Sequence, residues 1–293
     1  MKLHKLVRPY LVKSGHNFRL KDYDPADTHD LKSEDKAESK AWLENGISRL
    51  VELQDIFGAD CSWGLLIILQ GPDAAGKDGT IKHVMSGVNP QGVDVYSFKT
   101  PTPEENAHDF LWRTNRVLPT RGKINIFNRS YYEEVLIVRV HPKFLEQQHI
   151  PKSARGKELW QQRYRDICNA EEYLFHNRII VRKFFLNISK EEQKRRFIAR
   201  LDDPGKNWKF SAGDLEERQY WEDYQDAYEK MIRHTSTDYA PWTIVPADNK
   251  WFARLLVVAT INDTLERLKL RYPELTDTQR AELKAARKKL LKS

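Results

Sequence analysis

From residue 64 onward the chain alternates short continuous apolar runs with longer stretches of helical spacing. Continuous runs are the signature of strands buried on both faces and joined by crossover helices in a parallel sheet. They predict strands at Leu65–Gln70, Val93–Phe98, Ile124–Phe127, Ile179–Leu186 and Thr243–Val245. Helical spacing predicts Gly79–Ser86, Pro103–Leu118, Glu158–His176, Lys190–Leu201 and Leu215–His234 between them. Trp251–Leu270 is apolar on nearly all sides and is expected to be buried. Before the first strand, Lys36–Phe57 predicts a packing helix, because Leu43, Ile47, Leu50, Val51 and Phe57 share one face and Gly58 is placed to end it. Residues 1–35 carry scattered Pro, Gly and charge without a sustained period and are expected to form an arm over the core or a neighbouring subunit. The expected organisation is therefore one α/β domain over 36–272, preceded by that arm and followed by a basic helical tail, 273–293, with Arg287, Lys288, Lys289 and Lys292 near its end.

Directly after the first apolar run comes Gly71-Pro72-Asp73-Ala74-Ala75-Gly76-Lys77-Asp78-Gly79-Thr80, which matches G-x-x-x-x-G-K and leads into a predicted helix. Strand, glycine loop, lysine and helix in this order make a phosphate cradle. The glycines let backbone N–H groups close on phosphate oxygens, the helix N-terminus adds partial positive charge, and Lys77 supplies a mobile cation. The hydroxyl residue that usually follows the lysine to ligate Mg²⁺ is Asp78 here, which argues against a common GTPase or ABC-type ATPase. Asp73, inside the loop, is then the nearest carboxylate for a phosphate-bound cation, its alternative being a turn-stabilising side chain.

A second cluster, Asn128-Arg129-Ser130-Tyr131-Tyr132-Glu133-Glu134, follows the predicted strand Ile124–Phe127, where a metal-binding carboxylate is expected at the strand end. Asn128 occupies that place. Its carbonyl can ligate without charge, so Glu133 or Glu134 is the candidate for the missing carboxylate. Arg129 is placed to grip phosphate oxygens with its planar fork, the alternative being a salt bridge to one of those glutamates. In a third cluster Ser189-Lys190-Glu191-Glu192 reads as a capping box, and Arg196 and Arg200 fall four residues apart on the helix it starts. These arginines, with Lys206 and Lys209 in the Pro- and Gly-bearing stretch that follows, fit a lid over residues 190–220 that neutralises phosphate charge and excludes water. A solvated helix face with a polar connector is the alternative.

Composition narrows the partners. A chain of 293 residues with 40% hydrophobic content can bury a full α/β core unaided. Its two cysteines, Cys61 and Cys168, have no second Cys or His at metal-ligand spacing, which fits a reducing cytoplasm. The basic start lacks the apolar segment of a signal peptide, and no apolar run is long enough to span a bilayer, so a soluble protein with no membrane partner is expected. The net charge of +7 favours an anionic partner without choosing one.

Together the segment Gly71–Lys82, the run Phe127-Asn128-Arg129-Ser130-Tyr131-Tyr132-Glu133, Ser189–Phe197, Arg200–Phe210 and Ala240-Pro241-Trp242 resemble the polyphosphate kinase 2 family, over roughly residues 36–270 and in the family's order. The resemblance implies a P-loop kinase-like three-layer α/β/α sandwich with a parallel sheet and a helical lid. It implies reversible in-line transfer of the terminal phosphate of inorganic polyphosphate to ADP or AMP, dependent on Mg²⁺ with Mn²⁺ as the alternative metal, in a cytoplasmic homo-oligomer, dimer or tetramer. It assigns catalysis to Asp73, Lys77, Arg129, Glu133, Arg196 and Arg200, and the metal to Asp73, Asn128 and Glu133. Nucleotide and phosphate contacts fall to Gly71, Ala74, Ala75, Gly76, Asp78, Gly79, Thr80, Asn128 and Glu134. Where many members carry Asp this sequence has Asn128 with Glu133 and Glu134, similar to the subgroup that accepts both AMP and ADP. A polyanion also needs a cationic path, for which Lys82, Lys99, Arg116, Arg121, Arg182 and Lys183 are candidates. Two rivals stand beside this reading. An ATP-dependent nucleoside or nucleotide kinase shares the loop and the lid. A nucleic-acid-binding P-loop protein accounts for the charge, but basic and acidic residues here interleave and no nucleic-acid fold signature appears, so no nucleic acid is expected.

Overall fold

A computed structural model describes residues 3–29, 31, 36–209 and 212–292. The helices are α1 (Leu3–Val7), α2 (Lys36–Asp60), α3 (Lys77–Val84), α4 (Pro103–Ala107), α5 (Trp112–Asn115), α6 (Ile137–Val140), α7 (Phe144–Gln147), α8 (Lys157–His176), α9 (Lys190–Leu201), α10 (Ala212–Gln219), α11 (Trp221–Thr235), α12 (Lys250–Arg267) and α13 (Asp277–Leu290). The strands are β1 (Leu11–Val12), β2 (Gly64–Gln70), β3 (Val93–Ser97), β4 (Ile124–Asn128), β5 (Ile179–Asn187) and β6 (Trp242–Pro246). They form one sheet in the order β1-β6-β5-β2-β4-β3. All pairings are parallel except that of β1 with β6.

Each face of the sheet carries its own core, which makes three layers. Leu65, Ile67 and Leu69 of β2 pack with residues of α2, α3 and α12. Leu66 and Ile68 point the other way, toward Tyr164 and Ile167 of α8 and Tyr228, Met231 and Ile232 of α11. Every residue of β2 is buried, as a central parallel strand requires. The consequence for function is geometric. The carboxyl ends of β2, β4, β5 and β6 lie along one edge, where an open α/β sheet offers its crevice.

The five predicted strands are present, each extended by a residue or two or trimmed by one. Strand β1 has no counterpart in the apolar pattern, because a two-residue strand is defined only by its pairing of Leu11 and Val12 with Thr243 and Trp242. The amino-terminal segment lies on the core through Leu6, Val7, Tyr10 and Phe18. Helix α2 runs through Gly58 to Asp60, and Cys61 at φ 52° takes the left-handed position that ends it. The helix expected over Pro103–Leu118 is two short ones. Thr102 and Glu105 close a capping box on α4, and the Asp109 carboxylate then accepts from the Leu111 N–H, which diverts the backbone into a turn. The helix expected over Leu215–His234 breaks at Tyr220 without Gly or Pro. The ends are fixed by tertiary bonds: Glu217 is held by His141 Nε2 at 2.9 Å and the Tyr224 hydroxyl at 2.6 Å, and Arg218 donates to Lys190 O and Gln193 Oε1.

Lys183, in the middle of β5, is a charged group that is costly to bury. Its side chain is fully buried and donates to Glu171 Oε2 at 2.6 Å, to the Tyr132 hydroxyl at 2.9 Å and to Thr235 O at 2.7 Å. The Tyr131 and Tyr132 hydroxyls both donate to Glu171 Oε1 at 2.8 Å. Burial pushes the lysine pKa down and both tyrosine pKa values up. Three donated bonds on each charge repay desolvation, so the pair is tolerated only while complete. Glu171→Leu should therefore cost about 3–5 kcal/mol in urea unfolding, and Glu171→Leu with Lys183→Met should recover much of it. A loss under about 1 kcal/mol for the single variant would contradict this account.

Candidate functional site

The loop Gly71–Gly76 connects the carboxyl end of β2 to α3, and its conformation is set by where its carbonyls go. Gly71 approaches Leu186 so closely that an added Cβ would sit 2.9 Å from Leu186 O. Gly76 at φ 105° and Ala74 at φ 62° turn the chain through left-handed conformations, cheap for glycine and strained for alanine. Lys77 Nζ donates to Gly71 O at 2.6 Å and Pro72 O at 3.2 Å. From α9, Gln193 Nε2 donates to Asp73 O at 3.0 Å, and Arg196 Nη1 donates to Ala74 O at 3.0 Å and Ala75 O at 2.8 Å. All five consecutive carbonyls are thus satisfied by side chains. The first N–H groups of α3, which have no intrahelical acceptor, remain for an anion.

Arg196 completes its set with Nη2 donating to Ala247 O at 2.5 Å and Asp248 O at 3.1 Å, and Nε to Glu192 Oε1 at 2.6 Å. Five acceptors meet the five N–H groups that a guanidinium carries. Only 8% exposed, Arg196 braces the loop from behind instead of standing in a mobile lid as the sequence suggested. Ser189 does cap α9, accepting from the Glu192 N–H. The glutamate half of the expected capping box is diverted, because Glu192 is bound by Arg195 and Arg196.

Facing the loop is the end of β4. Arg129 sits at φ 63°, a strained value for a non-glycine residue, and its N–H donates to Leu69 O at 3.1 Å. This turn sends the guanidinium across to the loop, where Nη2 meets Asp73 Oδ1 at 2.5 Å and Nη1 meets Glu133 Oε2 at 3.3 Å. Both readings of Arg129 thereby meet at one place, since the salt bridge to Glu133 points it at the cradle. Gln70, with its amide oriented to satisfy its neighbours, donates to Glu133 Oε1 at 3.0 Å and accepts from Ser130. Asn128 Nδ2 donates to Asp78 Oδ1 at 2.7 Å. The structure therefore gathers Asp73, Lys77, Asp78, Asn128, Arg129 and Glu133 around one loop.

Other candidates lie elsewhere. Glu134 turns away from its neighbour Glu133 into a buried pair with Arg163, Nη1 to Oε2 3.0 Å, where burial raises its pKa against the opposing pull of Arg163. Arg121 precedes β4 and donates to Asn177 O, at the opposite end of the sheet from the loop. Arg182 lies along β5 and donates to the Thr264 hydroxyl of α12 at 3.0 Å. Lys183 is the buried partner of Glu171. None of these contacts reaches the loop; the sequence reading missed this because charge and place in the sequence do not show which way a side chain turns or at what level of the sheet it lies. Lys99 is exposed beyond the carboxyl end of β3, Lys82 is exposed on α3, and Arg116 lies over the Trp112 ring at 4.6 Å. In the lid segment Lys206 pairs with Asp203 and Arg200 lies over the Phe197 ring at 5.3 Å, while the Lys209 side chain falls outside the described residues. Two cations that the sequence reading passed over, Lys250 and Arg254, stand at the start of α12. Burial lowers the pKa of each, reinforced by Arg196, and Arg254 Nη2 would lie 3.9 Å from a Cβ on Gly79. Their i,i+4 spacing after β6 was the available signal.

Among the described residues no group of three or more His, Cys, Asp or Glu side chains is arranged to hold a metal alone. Asp73 nevertheless presents a half-buried carboxylate beside the loop, and Asn128 keeps its carbonyl oxygen after donating to Asp78. Hard oxygen donors in this number suit a Mg²⁺ that takes one or two protein ligands and completes its shell with water and substrate phosphates.

A family model described as polyphosphate kinase 2 matches residues 33–273. The chain is 54% identical over 260 residues to an ADP-polyphosphate phosphotransferase of Rhodopseudomonas palustris, covering 88% of this chain and 90% of that one. It is 44% identical over 270 residues to an AMP/ADP-polyphosphate phosphotransferase of Meiothermus ruber, covering 92% and 96%. The crystal structure of a polyphosphate kinase 2 from Arthrobacter aurescens superposes with a TM-score of 0.85 at 40% identity, over 100% of this chain and 98% of that one.

Lys77 yields a prediction that needs no knowledge of the substrate beyond its charge. Burial, reinforced by Arg129, pushes its pKa down to about 8. Between that value and the ordinary 10.5 the unfolded chain binds more protons than the folded one, so this lysine costs stability below about pH 8 and the cost is relieved as pH rises toward 10.5. An anionic ligand beside the ammonium group reverses the shift. Binding of a phosphate ligand at pH 9 should take up close to one proton per site. Calorimetry in buffers of different ionisation enthalpy reads this directly, and Lys77→Met should abolish it.

Proposed function

The chain belongs to the polyphosphate kinase 2 family, a class of polyphosphate:nucleotide phosphotransferases, and from that premise we propose that its loop face transfers the terminal phosphate of polyphosphate to ADP and AMP with Mg²⁺. The observation that supports the site assignment is the accounting of the loop carbonyls, all taken by side chains, with the first N–H groups of α3 and the two cations Lys77 and Arg129 beside the same loop.

The resting contacts are exchanged when phosphates enter. Lys77 moves from the Gly71 and Pro72 carbonyls onto the transferring phosphate. Arg129 releases Asp73 and binds phosphate oxygens through its fork, remaining anchored by Glu133. Asp73, so released, and the Asn128 carbonyl are the residues that would hold the cation. When bound, Mg²⁺ supplies charge neutralisation for the bridging oxygens. Phosphoryl transfer needs in-line positioning and charge neutralisation and no covalent intermediate on the enzyme, and these residues provide both. Arg200, Lys206 and Lys209 lie in the segment that would close over the donor. Lys250 and Arg254 extend the cationic edge past α3. No helix among the described residues is long and apolar enough to cross a membrane. The proposal extends to a cytoplasmic homo-oligomer, dimer or tetramer, acting on polyphosphate and not on nucleic acid. The exposed Leu283 and Leu290 of α13 support the contact between chains.

The deciding assay is ATP formation from ADP and long-chain polyphosphate with Mg²⁺. Formation of ATP is expected. Transfer only from a nucleoside triphosphate donor would make the protein an ordinary nucleotide kinase. Lys77→Ala should lower turnover by roughly 100-fold or more with an unchanged circular dichroism spectrum. Asp73→Asn should shift the Mg²⁺ titration to higher concentration, and an unshifted curve would move the ligand to Glu133. Asn128→Asp should change the ratio of AMP to ADP use more than the KM for polyphosphate, because it brings a second carboxylate to the place where Asn128 now donates to Asp78. Rates that fall in parallel for both acceptors would rule out a role in acceptor choice.

A further inference from the structure

Asp73 stands in a loop whose backbone needs outside support. The peptide unit between Asp73 and Ala74 leads into Ala74 at φ 62°, a strained value for a residue with a Cβ, so donors from elsewhere must keep it in place. The donor to Asp73 O is Gln193 Nε2 of α9, at 3.0 Å. A glutamine amide can present nitrogen or oxygen to a neighbour, and only its nitrogen can bond a carbonyl. What fixes the choice is Arg218 of α10, whose Nη1 donates to Gln193 Oε1 at 2.8 Å. A guanidinium carries donors and no acceptor, so the amide oxygen must face Arg218 and the nitrogen must face Asp73 O. Gln193 is only 4% exposed, which leaves little water to substitute for either partner.

Arg218 is itself held. Its Nη1 also donates to Lys190 O at 2.8 Å, and the preceding residue, Glu217, is bound by His141 Nε2 and the Tyr224 hydroxyl. The chain of contacts thus runs from α10 through Gln193 to the residue whose carboxylate meets Arg129. We propose that Arg218 is a positioning residue, which orients the Gln193 amide and through it holds the loop peptide that carries Asp73. The inference rests on the polyphosphate reading above in taking Asp73 as a holder of the cation, and it deepens that reading. Helix α10 follows the stretch Lys206–Lys209 that would close over the donor, so the placement of the helix is read at the residue that would hold the metal. Without Arg218 the amide is free to turn its oxygen toward Asp73 O, acceptor to acceptor, and the loop loses a donor.

Two readouts separate this relay from a general brace. Hydrogen exchange of the metal-free, nucleotide-free protein follows the loop directly, including the Ala75 N–H that donates to Pro72 O at 3.2 Å. Arg218→Met should speed exchange of the loop peptide by roughly threefold or more, and Arg218→Lys, which keeps a cationic donor, should restore it. In the polyphosphate assay Arg218→Met should raise the Mg²⁺ concentration for half-maximal rate by roughly tenfold, with an unchanged KM for polyphosphate. Gln193→Met should do the same. In a Gln193→Met background Arg218→Met should add nothing further, because no amide remains to be oriented. Additive effects of the two substitutions, or a lowered thermal midpoint with loop exchange and Mg²⁺ titration unchanged, would overturn the relay. So would an Arg218→Met chain that cannot fold, since the residue would then brace the whole protein. Coupled loop exchange in a protein that forms no ATP from polyphosphate would sustain the relay and sink the polyphosphate reading.

Discussion

The requirement on which the site depends is that a phosphate cradle must turn its carbonyls outward and still satisfy them. A loop whose N–H groups converge on an anion has its C=O groups on the convex side, where burial without a partner would cost a few kcal/mol each. Here one helix supplies most of the solution. Gln193 and Arg196 of α9 take the carbonyls of Asp73, Ala74 and Ala75, and Arg196 also takes those of Ala247 and Asp248 after β6. The loops after two different strands are thus tied to a single side chain. The placement of β5 between β2 and β6 makes this geometry available, since α9 follows directly from β5. Sheet order and loop conformation are therefore one design.

Much of this was legible in the sequence, for a physical reason. Buried parallel strands need continuous apolar runs, and a cradle needs glycines and a lysine at fixed spacing after one of them, so β2, β4 and β5 and the loop all declare themselves locally. Residues in strand-end positions, such as Asn128 and Arg129, could be assigned to the site because parallel strands end on one edge. What local pattern did not carry was the partner of each charge. Lys183, a candidate for the cationic path by its charge in an apolar run, instead has its partner in Glu171 of α8, a helix packed on one face of the sheet. Arg196, spaced four residues from Arg200, reads as half of an exposed arginine face. Only the approach of loops from β2 and β6 makes it a buried brace. Likewise Tyr220 interrupts a good helical pattern because Glu217 and Arg218 are held from outside the helix.

The two consecutive glutamates show how a short turn divides labour. Successive residues of the tight turn Tyr131–Val135 point in divergent directions, so identical side chains enter different environments. Glu133 meets Arg129 and the Gln70 amide, and holds the guanidinium beside the loop. Glu134 is buried against Arg163 and the Gln148 amide, with Arg113 also favouring its charge. The turn is itself fixed from beneath, because the Tyr131 and Tyr132 hydroxyls reach Glu171 and, through it, Lys183. The fully buried pair Lys183 and Glu171 thereby helps set the position of the turn that carries Glu133 and Glu134. Removing that network would loosen the turn before it touched the loop.

The charge balance at the loop bears on the proposed need for a divalent cation. Asp73, Asp78 and Glu133 place three carboxylates around Lys77 and Arg129, so the immediate site carries an excess of negative charge while its intended occupants are polyanions. In a partly desolvated cleft that repulsion amounts to several kcal/mol for a single pair at contact distance. Lys250 and Arg254, at the start of α12 with Arg254 beside Gly79 of α3, add positive charge near the loop, but the carboxylates of Asp73 and Glu133 have Arg129 as their partner and that of Asp78 has Asn128. Monovalent salt would only screen the repulsion. A Mg²⁺ held by Asp73 would invert its sign locally. The Asp73–Arg129 pair holds both charges in place beside the loop, where on the proposed reading a phosphate chain would partner Arg129 and its cation would partner Asp73.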